Sequence, residues 1–121
     1  MYQEVACGIM FNKEGKLLLG ERSDNKYWEF PGGKCEINET IEECLQREWI
    51  EELNLEIMID KEICNYVSGR YLCRFFIGQI VDESKIKKHV HTNIKFVKIN
   101  ELMKENLFED DKQLIYYLMN L

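Results

Sequence analysis

At 121 residues the chain has the length of one domain, large enough for a single hydrophobic core without disulfides. A formal charge of −6 with no basic tract argues against a nucleic-acid polymer as partner, yet allows a nucleotide whose phosphates a divalent ion would neutralise. The five cysteines (Cys7, Cys35, Cys44, Cys64 and Cys73) are odd in number without a C-x-x-C pair, and no segment reads as a signal peptide or membrane span, so a reduced cytoplasmic protein without membrane attachment is expected.

Residues 4–11 and 16–22 are predicted strands, joined by the polar turn 12–15 into a hairpin. A loop, 23–26, leads into Trp28-Glu29-Phe30, a short strand-like run. A Pro31-Gly32-Gly33 turn is expected to end that run and to let backbone approach a ligand closely. The stretch 40–53 predicts a helix: it lacks Gly and Pro, is rich in Glu, Leu and Gln, and follows a polar Asn38-Glu39-Thr40 start. Ile41, Leu45, Trp49 and Leu53 recur every fourth residue and mark its buried stripe. Strands are predicted over 56–66 and 71–81, the second dense in aromatic and branched residues. A polar loop spans 82–92, and 94–99 alternates apolar and basic residues. Asn100 is expected to cap a short helix ending at Lys104. A terminal helix over 110–121 would turn Leu114, Ile115, Leu118 and Leu121 inward. Strands with a mid-chain helix and a terminal helix predict a mixed α/β sandwich.

The central helix carries the chemistry. Glu48 and Glu52 lie four apart and Glu51 three after Glu48, so their carboxylates share a face. Like charges at that spacing cost a free helix roughly 0.2–0.5 kcal/mol per pair, and Glu52 sits beside the apolar stripe. Three carboxylates at a hydrophobic border need a cation. Oxygen ligands on a rigid element suit Mg²⁺ or Mn²⁺, which bind through few carboxylates and leave positions for substrate phosphate. Taken without its surroundings, the same face reads as an ordinary solvated acidic helix.

The surroundings settle that choice. Gly33, Glu39, Arg47, Glu48, Trp49, Glu51, Glu52 and Leu55 fall at the spacing of the Nudix box, so residues 33–55 resemble the signature of the Nudix hydrolase family. Asn54 replaces the last glycine of the pattern, at a helix end in left-handed conformation, where Asn is the next most tolerant residue. Within the family the likeness is to MutT-like nucleoside triphosphate pyrophosphohydrolases, through the Trp28-to-Lys34 entry and the short length. The resemblance implies one domain over 1–121 with an α/β/α sandwich, a mixed sheet, a loop-helix carrying the site and a C-terminal helix. It implies Mg²⁺-dependent hydrolysis of a (deoxy)nucleoside triphosphate to monophosphate and pyrophosphate, with 8-oxo-dGTP or CTP-like nucleotides as candidates and with Mn²⁺ as a substitute ion. Another nucleoside diphosphate derivative, a nucleotide sugar or a dinucleoside polyphosphate, is the alternative substrate class; a nucleotide sensor without turnover is the third reading. The complete carboxylate set counts against the sensor. The partner is then a small-molecule nucleotide, and the protein a monomer or homodimer.

The same resemblance assigns Glu51 and Glu52 as metal ligands, Glu48 as ligand or general base, and the Gly32 carbonyl as a further ligand. It pairs Arg47 with Glu39 to orient the carboxylates. Lys34 joins that network or touches phosphate. Arg22 and Arg70 are placed near the nucleotide, Phe30 in the base pocket, and Asp110 as a base-reading side chain or a plain helix cap. Relatives often carry an acidic residue in the loop that here reads Lys88, His89, Val90 and His91. That His-x-His pair lacks a third zinc ligand nearby and reads as loop or strand edge. The cysteines read as small core or loop residues, Cys44 without a reactive thiolate.

Overall fold

A computed structural model describes all 121 residues. Strands β1 (Gln3–Phe11), β2 (Leu17–Glu21), β3 (Trp28–Glu29) and β4 (Gly32–Lys34) precede helix α1 (Ile41–Leu53). Strands β5 (Ile57–Ser68), β6 (Tyr71–Ile80) and β7 (Asn93–Val97) follow, and helix α2 (Gln113–Met119) closes the chain. One sheet runs β3-β2-β1-β6-β5, with β4 added on β1 and β7 on β2. Only β1 and β6 pair in parallel, in register from Gln3 opposite Tyr71 to Phe11 opposite Gln79. The sheet is therefore mixed, as expected.

Alternation along the strands divides the core into two layers. Ala6 and Met10 of β1, Leu18 of β2, and Phe76 and Ile80 of β6 face α1, where Leu45, Trp49 and Leu53 complete one cluster. Ile9, Leu17, Leu19 and Phe75 face the other way and meet Leu114 and Leu118 of α2. The stripe read from the helical period is the one that packs, with Leu45, Trp49 and Leu53 fully buried. The Trp49 indole N–H donates to the Pro31 carbonyl at 2.8 Å, tying α1 to the segment ahead of β4.

Both ends of α1 are chemically specified. Thr40 accepts from the Glu43 amide at 3.1 Å, and the Glu43 carboxylate accepts from the Thr40 amide at 2.9 Å, a reciprocal capping box. Asn54 closes the helix at φ 57° and ψ 35°, the left-handed conformation inferred for it.

Several local expectations need correction. Gly32 and Gly33 do not form a turn; they enter β4 opposite Cys7 and Ala6 of β1. The short helix after β7 is a 3-10 turn over Ile99–Lys104 that begins before Asn100, and Glu101 caps it by accepting from the Lys98 amide at 2.8 Å. The terminal helix starts as a 3-10 turn, Glu109–Lys112, and Leu121 is exposed rather than inward. No helix is long and apolar enough to cross a membrane.

Candidate active site

Arg47 is the hub of the acidic face. Its guanidinium grips Glu39 through Nε at 2.6 Å and Nη2 at 3.0 Å, and reaches Glu48 at 2.9 Å and Glu51 at 3.1 Å through Nη1. Nη2 also donates to the Lys34 carbonyl at 3.2 Å, fixing the end of β4. This bidentate grip holds the Glu39 carboxyl down to about 2, with help from the Glu36 amide. The orienting pair thus exists as geometry. Gly33 lies opposite: a Cβ there would come within 2.5–2.7 Å of the Glu48 carboxylate atoms, so a side chain on β4 would displace Glu48.

Glu52 points into the fold rather than toward Arg47. It is buried, and burial, a hydrogen bond with Glu48 and the nearby charges of Glu29, Glu48 and Glu51 push its carboxyl up to about 9. On its far side stands His91, whose wholly buried ring meets Glu29 Oε2 at 2.7 Å and lies 3.7 Å from Glu52 Oε1. In the sequence His91 reads as loop or strand edge and Glu29 carries no assigned role; sixty-two residues separate the two, and no periodicity joins them.

A cavity of about 600 Å³ opens alongside, with Glu29, Gly32, Gly33 and Lys34 on the side nearest the carboxylates. Phe30, Tyr66, Phe75 and Phe108 give it aromatic walls. Phe30 packs edge-on to Phe75, and Tyr66 stacks on Phe75. Arg22 lines the cavity; Asp24 holds it at 2.8 Å and Glu29 at 3.3 Å, and its guanidinium lies 5.9 Å from the centre of the Phe108 ring. Lys34 stands 5.3 Å from the centre of the Tyr71 ring at the rim.

Two of the expected substrate residues move. Arg70 is absent from the cavity lining and lies instead against the Tyr71 ring in a shallow surface depression. Asp110 reaches the rim but is exposed, near the Ser68 hydroxyl at 3.4 Å. Its neighbour Asp111 is the buried one, accepting a hydrogen bond from the Tyr66 hydroxyl. Burial, opposed by that bond and reinforced by Glu29 and Asp110, raises the Asp111 carboxyl to about 6. Cys7 and Cys73 line the same cavity with thiols pushed up by burial, and all five cysteines are free. Cys44 is fully buried, with its thiol against the Gly33 carbonyl and its pKa well up, in keeping with an unreactive residue.

A model of the NUDIX domain matches residues 1–118. The chain belongs to the Nudix family. It is 31% identical over 108 residues to an RNA pyrophosphohydrolase from Hydrogenovibrio crunogenus, covering 73% of this chain and 66% of that protein. It is 37% identical over 57 residues to an 8-oxo-dGTP diphosphatase from Proteus vulgaris, covering 44% of this chain and 51% of that one. The solution structure of the E. coli ORF135 protein superposes with a TM-score of 0.82 at 27% identity, covering 99% of this chain and 90% of that one. The chain spans between about a third and two thirds of the length of the first curated relatives it matches.

The Nudix site here fits the divalent ion that the family typically uses. Glu48 and Glu51 share a single basic partner, Arg47, and Glu52 has no lysine or arginine beside it. A hard ion in contact with Glu52 would remove the reason its carboxyl stays protonated. Without metal, Glu52 holds its proton until about pH 9, whereas binding an ion through it would require the carboxylate. Mg²⁺ binding at pH 7 is therefore expected to release close to one proton, and affinity should climb with pH and level off near 9. Titration calorimetry in two buffers of different ionisation enthalpy reads this directly; equal heats in both would remove Glu52 from the ligand set.

Proposed function

We propose that the chain is a MutT-like pyrophosphohydrolase that cleaves a (deoxy)nucleoside triphosphate to monophosphate and pyrophosphate. The observation carrying this reading is the continuity of the carboxylate face with an aromatic-walled cavity, through Glu29, Gly32 and Gly33. In this reading the base would enter the cavity beside Phe30 and Phe108, with its phosphates toward Gly33 and Lys34 and over Glu48, Glu51 and Glu52. Mg²⁺, or Mn²⁺ in its place, offsets phosphate charge and lowers the pKa of the attacking water when bound. Glu51 and Glu52, with the Gly32 carbonyl, would hold the ion; Glu48 would be the further ligand or the base that takes the water proton. Arg47 keeps Glu48 and Glu51 aimed while Glu39 anchors Arg47. Arg22 and Lys34 contact the nucleotide, and Phe30 packs against its base.

Asp111, in place of Asp110, is the base-reading side chain in this proposal. Its carboxyl loses the proton near pH 6. Above that pH it accepts from the amino or ring N–H groups of guanine-like or cytosine-like bases; below it, the acid donates and favours carbonyl edges. Asp111→Asn is expected to raise KM for the preferred nucleotide by about 10- to 100-fold, the worth of a charge-assisted hydrogen bond, with kcat nearly unchanged. The pH dependence of base preference near 6 should vanish in the same variant. An unchanged KM would place the base elsewhere.

Release of pyrophosphate from canonical and oxidised nucleoside triphosphates tests the reading and separates 8-oxo-dGTP from CTP. Turnover confined to nucleotide sugars, dinucleoside polyphosphates or RNA 5′ ends would replace it.

A further inference from the structure

The loop between β6 and β7 is fastened to the end of α1. The Lys87 amide donates to the Leu53 carbonyl at 2.8 Å, the His89 amide to the Glu52 carbonyl at 3.1 Å, and the Asn54 side chain to the Lys85 carbonyl at 2.9 Å. These bonds deliver His91 into the fold, where its side chain has no exposed surface. The ring occupies space that Gly20 of β2 leaves free: a Cβ at Gly20 would come within 2.5–2.6 Å of three ring atoms. His91 Nδ1 is the one buried side-chain nitrogen or oxygen of the protein without a hydrogen-bond partner. The Nε2 side faces Glu29 at 2.7 Å, so the proton belongs on Nε2 and is donated to that carboxylate.

Burying an imidazole with one bare nitrogen is costly, and a leucine would fill the site without that cost. What the imidazole adds is a connection. Arg22 at the cavity holds Glu29 Oε1 at 3.3 Å, His91 holds Glu29 Oε2, and His91 stands 3.7 Å from Glu52 Oε1. We propose that His91 is a positioning residue, clamping Glu29 as the wall that keeps Glu52 turned toward Glu48. The clamp joins the nucleotide cavity to the metal-binding face. The argument rests on Glu52 being a metal ligand, which is part of the reading above.

Mn²⁺ alone, titrated and followed by electron paramagnetic resonance, tests this without any nucleotide. His91→Phe fills the space without an N–H, His91→Gln keeps a donor, and Glu29→Gln removes the charged acceptor. Mn²⁺ binding should weaken by about 10- to 100-fold in His91→Phe and recover most of that in His91→Gln. Adding His91→Phe to Glu29→Gln should produce no further weakening, because one side chain acts through the other. Imidazole ¹⁵N spectra of the parent protein should show the Nε2-protonated form. In kinetics, the Mg²⁺ needed for half-maximal rate should rise with KM for nucleotide held within about threefold. If His91→Phe fails to fold, Glu29→Gln alone must reproduce the weaker binding. Unchanged Mn²⁺ affinity in both, additive losses in the double variant, or an Nδ1-protonated ring would each overturn the proposal. A parent protein that binds Mn²⁺ through this clamp but turns over no triphosphate would sink the substrate reading alone.

Discussion

Glu52→Gln is expected to lower kcat by about 1,000-fold while leaving the metal-free protein at pH 7 at least as stable as the parent. Loss of a metal ligand removes several kcal/mol of transition-state stabilisation, and about 4 kcal/mol corresponds to three decades in rate. Stability behaves differently because Glu52 is already neutral at pH 7 in the metal-free protein, its carboxyl lying at about 9. Gln has the shape of that neutral acid. The raised pKa means that Glu52 supports the fold fully below its unfolded value and that this support fades as pH rises through about 9. The variant should therefore exceed the parent already at pH 7 and by a wider margin at pH 10, the two coinciding only below the unfolded carboxyl value. Melting curves at the two pH values, paired with steady-state rates, check both halves. Full activity in the variant would remove Glu52 from the site; a collapsed melting temperature at pH 7 would contradict its neutral state.

Arg47→Lys is the second large effect, expected to lower kcat by about 10- to 100-fold although charge is conserved. Arg47 makes five side-chain hydrogen bonds, to Glu39 twice, to Glu48, Glu51 and the Lys34 carbonyl. An ammonium on a flexible stem cannot hold Glu39 in two places and still span Glu48 and Glu51. The side-effect on acid tolerance has a definite sign. Glu39 sits at about 2 because Arg47 favours its ionised form, so that contribution is present above the unfolded pKa and lost as pH falls through about 2. In the lysine variant most of that contribution is already missing at neutral pH, so the variant, less stable there, should unfold in acid at a higher pH. Acid denaturation profiles of the two proteins measure the displacement, and coincident profiles with equal kcat would show that Arg47 is a passive surface charge.

What the sequence revealed, and what it hid, follows from the range of each interaction. The helix 40–53, its buried stripe and the left-handed Asn54 depend on residues within a few positions of one another, and the α-helical period exposes them. Arg47 and Glu39 are eight apart, within reach of a spaced motif. His91 and Glu29 meet across separate strands, β2 lying between them with Gly20 cleared for the ring, and only the assembled sheet reveals that. Asp111 has no signal of its own in the sequence, because the phase of a 3-10 turn is what places it inward against Tyr66 while Asp110 stays exposed. Arg70, at the β5–β6 corner, lies against the Tyr71 ring outside the cavity lining, a placement that depends on side-chain packing and leaves no mark in the sequence.

In the proposed reaction the carboxylate face of α1 would use a divalent ion to break a triphosphate between its α- and β-phosphates. The most direct test is phosphorus NMR of the products formed from the best nucleoside triphosphate of the panel, with Mg²⁺ and with EDTA. Monophosphate and pyrophosphate appearing together, only with Mg²⁺ and only while Glu52 is intact, is the expected result. Diphosphate with inorganic phosphate, or equal turnover in EDTA, would contradict the account.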